Sequence, residues 1–83
     1  MAHRDHRIYR CDTDEQLQIV AKALMRLNTE NHLAARAFVL NKLYDRTLAQ
    51  IGKAFQLHES SISRHVDWAR ERLAMLIDEE IGL

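Results

Sequence analysis

Polar and basic side chains gather between residues 53 and 70 of this chain, and they are the residues best suited to chemistry. An arginine guanidinium presents several N–H donors in one plane, and a serine hydroxyl both donates and accepts hydrogen bonds. Such groups bind phosphate oxygens and the edges of nucleic-acid bases. The candidate set comprises Lys53, His58, Ser60, Ser61, Ser63, Arg64, His65 and Arg70.

The same chain lacks the combinations that catalysis or metal binding requires. The three serines have no accompanying base and acid in a recognisable nucleophile context. The two glycines do not form a phosphate-binding loop, and the single Cys11 is remote in sequence from most of the histidines. The histidines share no ligand spacing on a predicted helix face; they are His3, His6, His32, His58 and His65. We therefore expect no enzymatic activity, no metal and no cofactor.

Residues 47–56 have the local features of a short helix. Thr47 followed by Gln50 matches a capping box, which predicts a helix start. Ile51 and Phe55 recur four residues apart, as on the inner face of a helix. Gly52 lies between them and costs about 1 kcal/mol relative to alanine in a helix interior. This cost predicts that another helix approaches too closely for a side chain.

A second helix is predicted to follow directly. Ser60 and Ser61 offer N-caps, and Ile62 and Val66 give a buried stripe. Two such helices joined by a tight turn form a helix-turn-helix, whose second helix reads base edges in the DNA major groove. Arg64 is expected to be the main base reader, since its guanidinium can bridge two acceptors of a guanine.

The other candidates have supporting roles in this interpretation. Ser60, Ser61 and Ser63 would contact bases or phosphates. Lys53, His58 and Arg70 would neutralise the DNA backbone. For His65, partial burial and phosphate contact are both consistent with the pattern.

Residues 44–73 resemble region 4 of bacterial RNA polymerase sigma factors. Residues 47–55 are similar to the first helix of the motif in primary factors, and 62–66 to the start of the recognition helix. Residues 68–73, with Ala69, Arg70 and Leu73, resemble an ending common in extracytoplasmic-function factors. Region 4 binds the −35 promoter element and the polymerase flap. The resemblance therefore implies a fold of this type that binds double-stranded DNA and RNA polymerase core.

The chain departs from that family in two respects. Glu59, Ser60 and Ser61 occupy positions where primary factors are rich in arginine, which reduces attraction to phosphate. No segment resembles region 2, the domain that melts promoter DNA, so a complete initiation factor is not expected.

Charge leaves two functions open. The net charge is zero, and residues 78–80 are wholly acidic, so long-range attraction to DNA is expected to be modest. The first function is that of a DNA-binding transcription regulator. The alternative is a module that binds RNA polymerase and has little DNA specificity of its own. The resemblance implies that Leu40, Leu43 and Tyr44 would then form the polymerase-binding surface.

The periodicity predicts an all-α, four-helix fold with the helix-turn-helix at its C-terminal end. Residues 1–11 are expected to be a flexible arm, and residues 12–83 the helical domain. The first helix should run from Asp12 or Thr13 to about Leu27, and the second from Thr29 or Asn31 to about Tyr44. The fourth helix should end near Gly82. The expected inner-face residues of the first two helices are Leu17, Val20, Ala21, Leu24, Leu27, Leu33, Ala37, Leu40 and Tyr44.

Assembly and location follow from the remaining apolar residues. The first helix carries Leu17, Ile19, Leu24 and Met25 on more than one face, which favours a homodimer over a docked polymerase element. Phe38, Tyr44 and Phe55 are expected in the core, whereas Trp68 fits an interface and internal packing equally well.

No apolar run approaches the roughly 18 residues of a membrane helix, and no signal peptide is recognisable. Together with the single cysteine, these features predict a cytoplasmic protein without membrane contact.

Overall fold

Four helices make up the fold. The computed structural model describes the backbone of residues 2–82 and the side chains of residues 14–82. The helices are α1 (Ala2–Glu30), α2 (His32–Lys42), α3 (Leu48–Phe55) and α4 (Glu59–Ile81). No strand occurs within residues 2–82, so the predicted all-α class with four helices is confirmed. Among the described residues, none of the helices combines the length and apolar character needed to cross a membrane.

The first helix is longer at both ends than predicted. Its backbone is helical from Ala2, which differs from the flexible arm expected over 1–11; the side chains of that segment lie outside the described residues. At the other end the helix continues to Glu30, because the Thr29 hydroxyl donates to the Met25 carbonyl at 3.0 Å instead of capping a new helix. Asn31 is the cap of α2, accepting from the Ala34 amide at 3.1 Å.

Two neighbouring clusters of buried side chains form the core, and α4 contributes to both. One cluster joins α1, α2 and the C-terminal half of α4, and consists of Ala23, Leu27, Ala34, Ala35, Ala69, Leu73 and Leu76. The other joins α2, α3 and the N-terminal half of α4, and consists of Ala37, Ile51, Ile62 and Val66. Alanines at the α1 and α2 contacts let the helix backbones approach closely, while leucines and isoleucines fill the space between them.

Several predicted core positions are wrong. Leu17 and Ala21 are exposed on α1, whereas Leu27 is buried as predicted and Ala23, which was not predicted, is buried beside it. The reason is that α1 turns the side bearing Ala23 toward α2 and α4. Tyr44 lies beyond the end of α2 and is exposed, contrary to the core role expected for it. By contrast, Phe38 and Phe55 are half-buried and pack on the core, as predicted.

Arginine–carboxylate contacts join α1 to α4, which run antiparallel. Arg72 meets both carboxylate oxygens of Glu30, with Nε–Oε1 and Nη2–Oε2 distances of 2.7 and 2.8 Å. One turn earlier on α1, Arg26 donates to Glu79 at 2.8 Å and to Glu80 at 3.5 Å. The hydrogen bond from Arg72 lowers the pKa of Glu30 below its ordinary value, and the bond to Glu30 raises the pKa of Arg72.

The Glu30 contact predicts sensitivity to acid. Because the pKa of Glu30 is lower in the folded than in the unfolded state, its contribution is present above the ordinary glutamate pKa of about 4.3. It is lost as the pH falls through the folded-state pKa. The melting temperature of the wild type should therefore fall more steeply between about pH 5 and pH 3 than that of Glu30→Gln. Glu71→Gln, whose carboxylate forms no ion pair among residues 14–82, is the matched control; equal slopes for all three proteins would contradict the prediction.

Candidate nucleic-acid interface

A complete capping box begins α3. The Gln50 backbone amide donates to Thr47 Oγ1 at 3.1 Å, and the Thr47 backbone amide donates to the side-chain oxygen Oε1 of Gln50 at 2.9 Å. Two backbone donors that the helix leaves unpaired are thus satisfied by side chains. The helix start predicted from the sequence is confirmed, and it fixes where the turn toward α4 must come.

The turn between α3 and α4 depends on a residue in the left-handed conformation. Gln56 has φ 59° and ψ 42°. The Leu57 amide then donates to the Gly52 carbonyl at 2.8 Å, and the Gln56 amide to the Lys53 carbonyl at 3.3 Å. This is the Schellman pattern of hydrogen bonds, usually formed with glycine at the position of Gln56. The chain therefore reverses direction within residues 56–58.

Gly52 lies where that reversal brings the backbone back onto α3. A Cβ atom on Gly52 would lie 2.5 Å from the carbonyl oxygen of Leu57 and 3.4 Å from the amide nitrogen of Glu59. The first of these distances is well inside van der Waals contact, and both neighbours are backbone atoms that cannot rotate away. The predicted close approach is confirmed, and the approaching atoms belong to the turn and the first residue of α4.

The helix α4 begins with an imidazole cap that the sequence did not reveal. His58 Nδ1 accepts from the Ser60 amide at 3.0 Å and lies 2.8 Å from Ser60 Oγ. The expectation that Ser60 or Ser61 caps the helix is wrong, because both lie within its first turn. Histidine is not among the preferred N-cap residues, so no sequence signal pointed to this role.

Most of the predicted site residues come together at the N-terminal end of α4. Ser60 and Arg64 are exposed and lie one turn apart, forming an outward ridge. Three residues on the flanks of this ridge, Ser61, Ser63 and His65, are half-buried. Ile62 and Val66 are buried on the opposite side, as predicted. Within residues 14–82 Arg64 forms no ion pair, so its guanidinium is available to a ligand.

The structure separates the two remaining basic candidates from this ridge. Lys53 is exposed in the last turn of α3. Arg70 lies about 120° around α4 from Arg64, since six residues turn a helix by roughly 600°. Its Nη2 is also 3.7 Å from a carboxylate oxygen of Asp67. The predicted set is therefore one compact group with two outlying cations.

The charge of the side chains on the outward ridge changes from positive to negative along α4. After Ser60 and Arg64 the next exposed positions at helical spacing are Asp67, Trp68 and Glu71, two of which are acidic. Carboxylates repel the phosphates that line a DNA groove. Only the first turn and a half of α4 therefore suits a polyanion, and the helix would have to enter a groove by its N-terminal end.

A separate apolar surface lies at the end of α2. Leu43 and Tyr44 have 63% and 64% of their surface exposed. Beside them Leu40 is half-buried and lines a shallow groove with Arg46, Gln50, Ile51 and Ala54. The three residues implied as polymerase-binding thus lie near one another at one edge of the fold, although Tyr44 was also expected in the core.

Comparison of the chain with protein-family models, curated proteins and solved structures finds no match. Within the described residues, no group of three or more histidine, cysteine or acidic side chains could hold a metal ion. Interpretation of the site therefore depends on its own geometry.

The Gly52 contact predicts that alanine destabilises the protein despite its better helix propensity. Propensity alone would give Gly52→Ala a gain of about 1 kcal/mol. Contact with backbone atoms should reverse that sign, and Gly52→Val should cost roughly 1–3 kcal/mol through overpacking. Urea unfolding of both variants measures the effect.

Ala54→Gly provides the control, because Ala54 is exposed on the same helix and should follow propensity, losing about 1 kcal/mol. A gain in stability for Gly52→Ala would show that α3 and the start of α4 can move apart. The crossing of α3 and α4 would then not be fixed by Gly52.

Proposed function

We propose that this protein is a DNA-binding transcription regulator whose α4 enters the major groove by its N-terminal end. The observation that carries the proposal is the exposed ridge of Ser60 and Arg64 at the start of a helix that α3 holds through the Gly52 contact. In helix-turn-helix proteins the N-terminal residues of the second helix contact base edges. Transcription is the process to which the resemblance to sigma region 4 points.

Arg64 carries sequence recognition in this proposal. It is exposed and unpaired among residues 14–82, so binding a base requires no internal contact to be broken. A guanidinium donates two parallel hydrogen bonds to O6 and N7 of guanine. Ser60 lies one turn before it, and because its hydroxyl proton is directed at His58 Nδ1, its oxygen is left to accept a hydrogen bond from a base amino group.

Groups around the ridge would make the contacts to phosphate. Lys53 presents an ammonium group from α3, whereas the first turn of α4 carries Glu59, and the Ser60 and Ser61 backbone amides already donate to His58. Because Asp67 and Glu71 follow on the outward ridge, few phosphates can be neutralised. Weak binding with a shallow dependence on salt is therefore expected from a single copy.

Substitutions at Arg64 distinguish the recognition of a specific base from the general attraction of a positive charge to DNA. On a preferred site selected from a random duplex pool, Arg64→Ala should lose about 1–3 kcal/mol of binding free energy and relax specificity at one position. Arg64→Lys keeps the charge but not the planar pair of donors, so it should lose most of the same specificity. Lys53→Ala should weaken the selected and random duplexes alike and flatten the salt dependence.

Fluorescence anisotropy on both duplexes across a salt series measures these effects, with Lys22→Ala on α1 as the control. If Arg64→Ala and Lys53→Ala weaken selected and random DNA equally, Arg64 does not read bases. If no duplex binds at low salt, the proposal fails.

A second candidate function is binding to RNA polymerase core with little DNA specificity. It is favoured by the exposed Leu43 and Tyr44 beside the groove at Leu40, and by the absence of net charge. Capture of polymerase core would then survive Arg64→Ala and be lost with Tyr44→Ser. The two functions are compatible, as both occur together in sigma region 4.

A further inference from the structure

The outer face of α1 is apolar although it is turned away from the core. Leu17 and Met25 have 65% and 71% of their surface exposed, more than any other large hydrophobic residue described. Ala21 lies between them and is also exposed. Because these residues are four apart, they form one continuous ridge along the helix. A ridge of this kind is unfavourable in water unless another surface covers it.

A shallow apolar groove runs beside the C-terminal part of this ridge. It lies between α1 and α2, and its lining is formed by Leu24, Asn28, Ala35, Arg36, Val39 and Leu40. Leu24 is half-buried there, and Ala35 forms the floor. The chain therefore presents a protruding leucine and, two turns farther along the same helix, an apolar depression.

We propose that two copies of this chain associate through the outer faces of α1, antiparallel about Ala21. A two-fold axis at Ala21 places Leu17 of each copy opposite Met25 of the other. Leu17 then enters the hole bounded by Ala21, Leu24 and Asn28 of the second copy, at the edge of the groove. Each copy supplies one knob and one hole, which is the self-complementarity that a two-fold interface requires.

The polar ends of the ridge are also complementary under this symmetry. Asp14 and Asn28 are equally distant from Ala21, so each would face the other across the axis. Asn28 Oδ1 lies 2.7 Å from Nδ1 of His32, which leaves the Asn28 amide N–H groups as donors. The carboxylate of Asp14 is exposed and is a suitable acceptor for them.

A second copy suits this face better than a polyanion does. From Asp14 to Asn28 the ridge carries no lysine or arginine, so neither DNA nor an anionic membrane surface is attracted to it. The ridge is about 21 Å long, which is short for an obligate interface. Dissociation in the micromolar range is therefore expected.

Sedimentation equilibrium between about 1 and 200 µM tests the association. The wild type should change from monomer to dimer over this range, and Leu17→Glu should raise the dimer dissociation constant at least about tenfold. Met75→Glu is the matched control, since Met75 is also more than half exposed but lies on α4, outside the ridge. Circular dichroism checks that both variants remain folded.

Disulfide cross-linking tests the antiparallel arrangement about Ala21. Helix axes about 8–10 Å apart bring facing Cα atoms to within roughly 3.4–5.4 Å, and the upper half of that range suits a disulfide. In a Cys11→Ser background, Ala21→Cys should form a covalent dimer on mild oxidation. Ala74→Cys, at an exposed alanine on α4, should not.

A wild type that remains monomeric throughout the range would overturn the proposal. So would an equal effect of Leu17→Glu and Met75→Glu, or cross-linking at residue 74 that matches cross-linking at residue 21. None of these measurements includes DNA, so their failure would leave the proposed DNA binding untouched. Conversely, a protein that ignores DNA could still dimerise in this way.

Discussion

The contact of Gly52 with the carbonyl of Leu57 and the amide of Glu59 determines how α3 and α4 cross. With no side chain at residue 52, the turn folds back directly onto α3, and α4 starts against it. The left-handed Gln56 completes the reversal in few residues, at a conformational cost that glycine would avoid. The chain thus has glycine where a side chain would clash and tolerates glutamine where only the backbone is strained. Burial of Ile51 against Ile62 and Val66 depends on this crossing.

One helix serves both the core and the candidate interface. The buried side of α4 contributes to both core clusters, while its first turn and a half remains exposed and polar. The ion pairs that join α4 to α1 are exposed, and such pairs contribute little to overall stability. The rotation of α4 about its own axis is set by its buried side, and the bidentate contact of Arg72 with Glu30 is consistent with that rotation. That rotation decides whether Arg64 faces outward.

Local patterns predicted the C-terminal half of the fold well and the N-terminal half less well. The capping box at Thr47, the close approach at Gly52 and the buried stripe of α4 each depend on residues that are close along the chain. The sequence was therefore sufficient to predict these three features. In α1, apolar residues occur on several faces, and the partner helices decide which face is buried. Ala23 is therefore in the core and Leu17 is not. The same reasoning applies to Tyr44, which is exposed because α2 ends before it.

The sequence predicted which residues form the candidate site, but it did not predict how they are arranged in space. The sequence supplied the set of polar residues at the start of α4, but the exposure of Ser60 and Arg64 and the partial burial of Ser61 and Ser63 depend on how α4 packs against the other helices. The imidazole cap at His58 depends on a side-chain rotation that residue type does not indicate.

The continuity of α4 has a mechanical consequence. Its 23 residues contain neither glycine nor proline, so the helix has no built-in hinge over a length of about 35 Å. A tilt of about 5° at the end that packs against α1 would displace the exposed end by roughly 3 Å, about the length of one hydrogen bond. The helix thus acts as a rigid lever. Any tilt of α4 at its contact with α1 would therefore also move Arg64, and the packing of α4 against α3 at Gly52 would have to accommodate it.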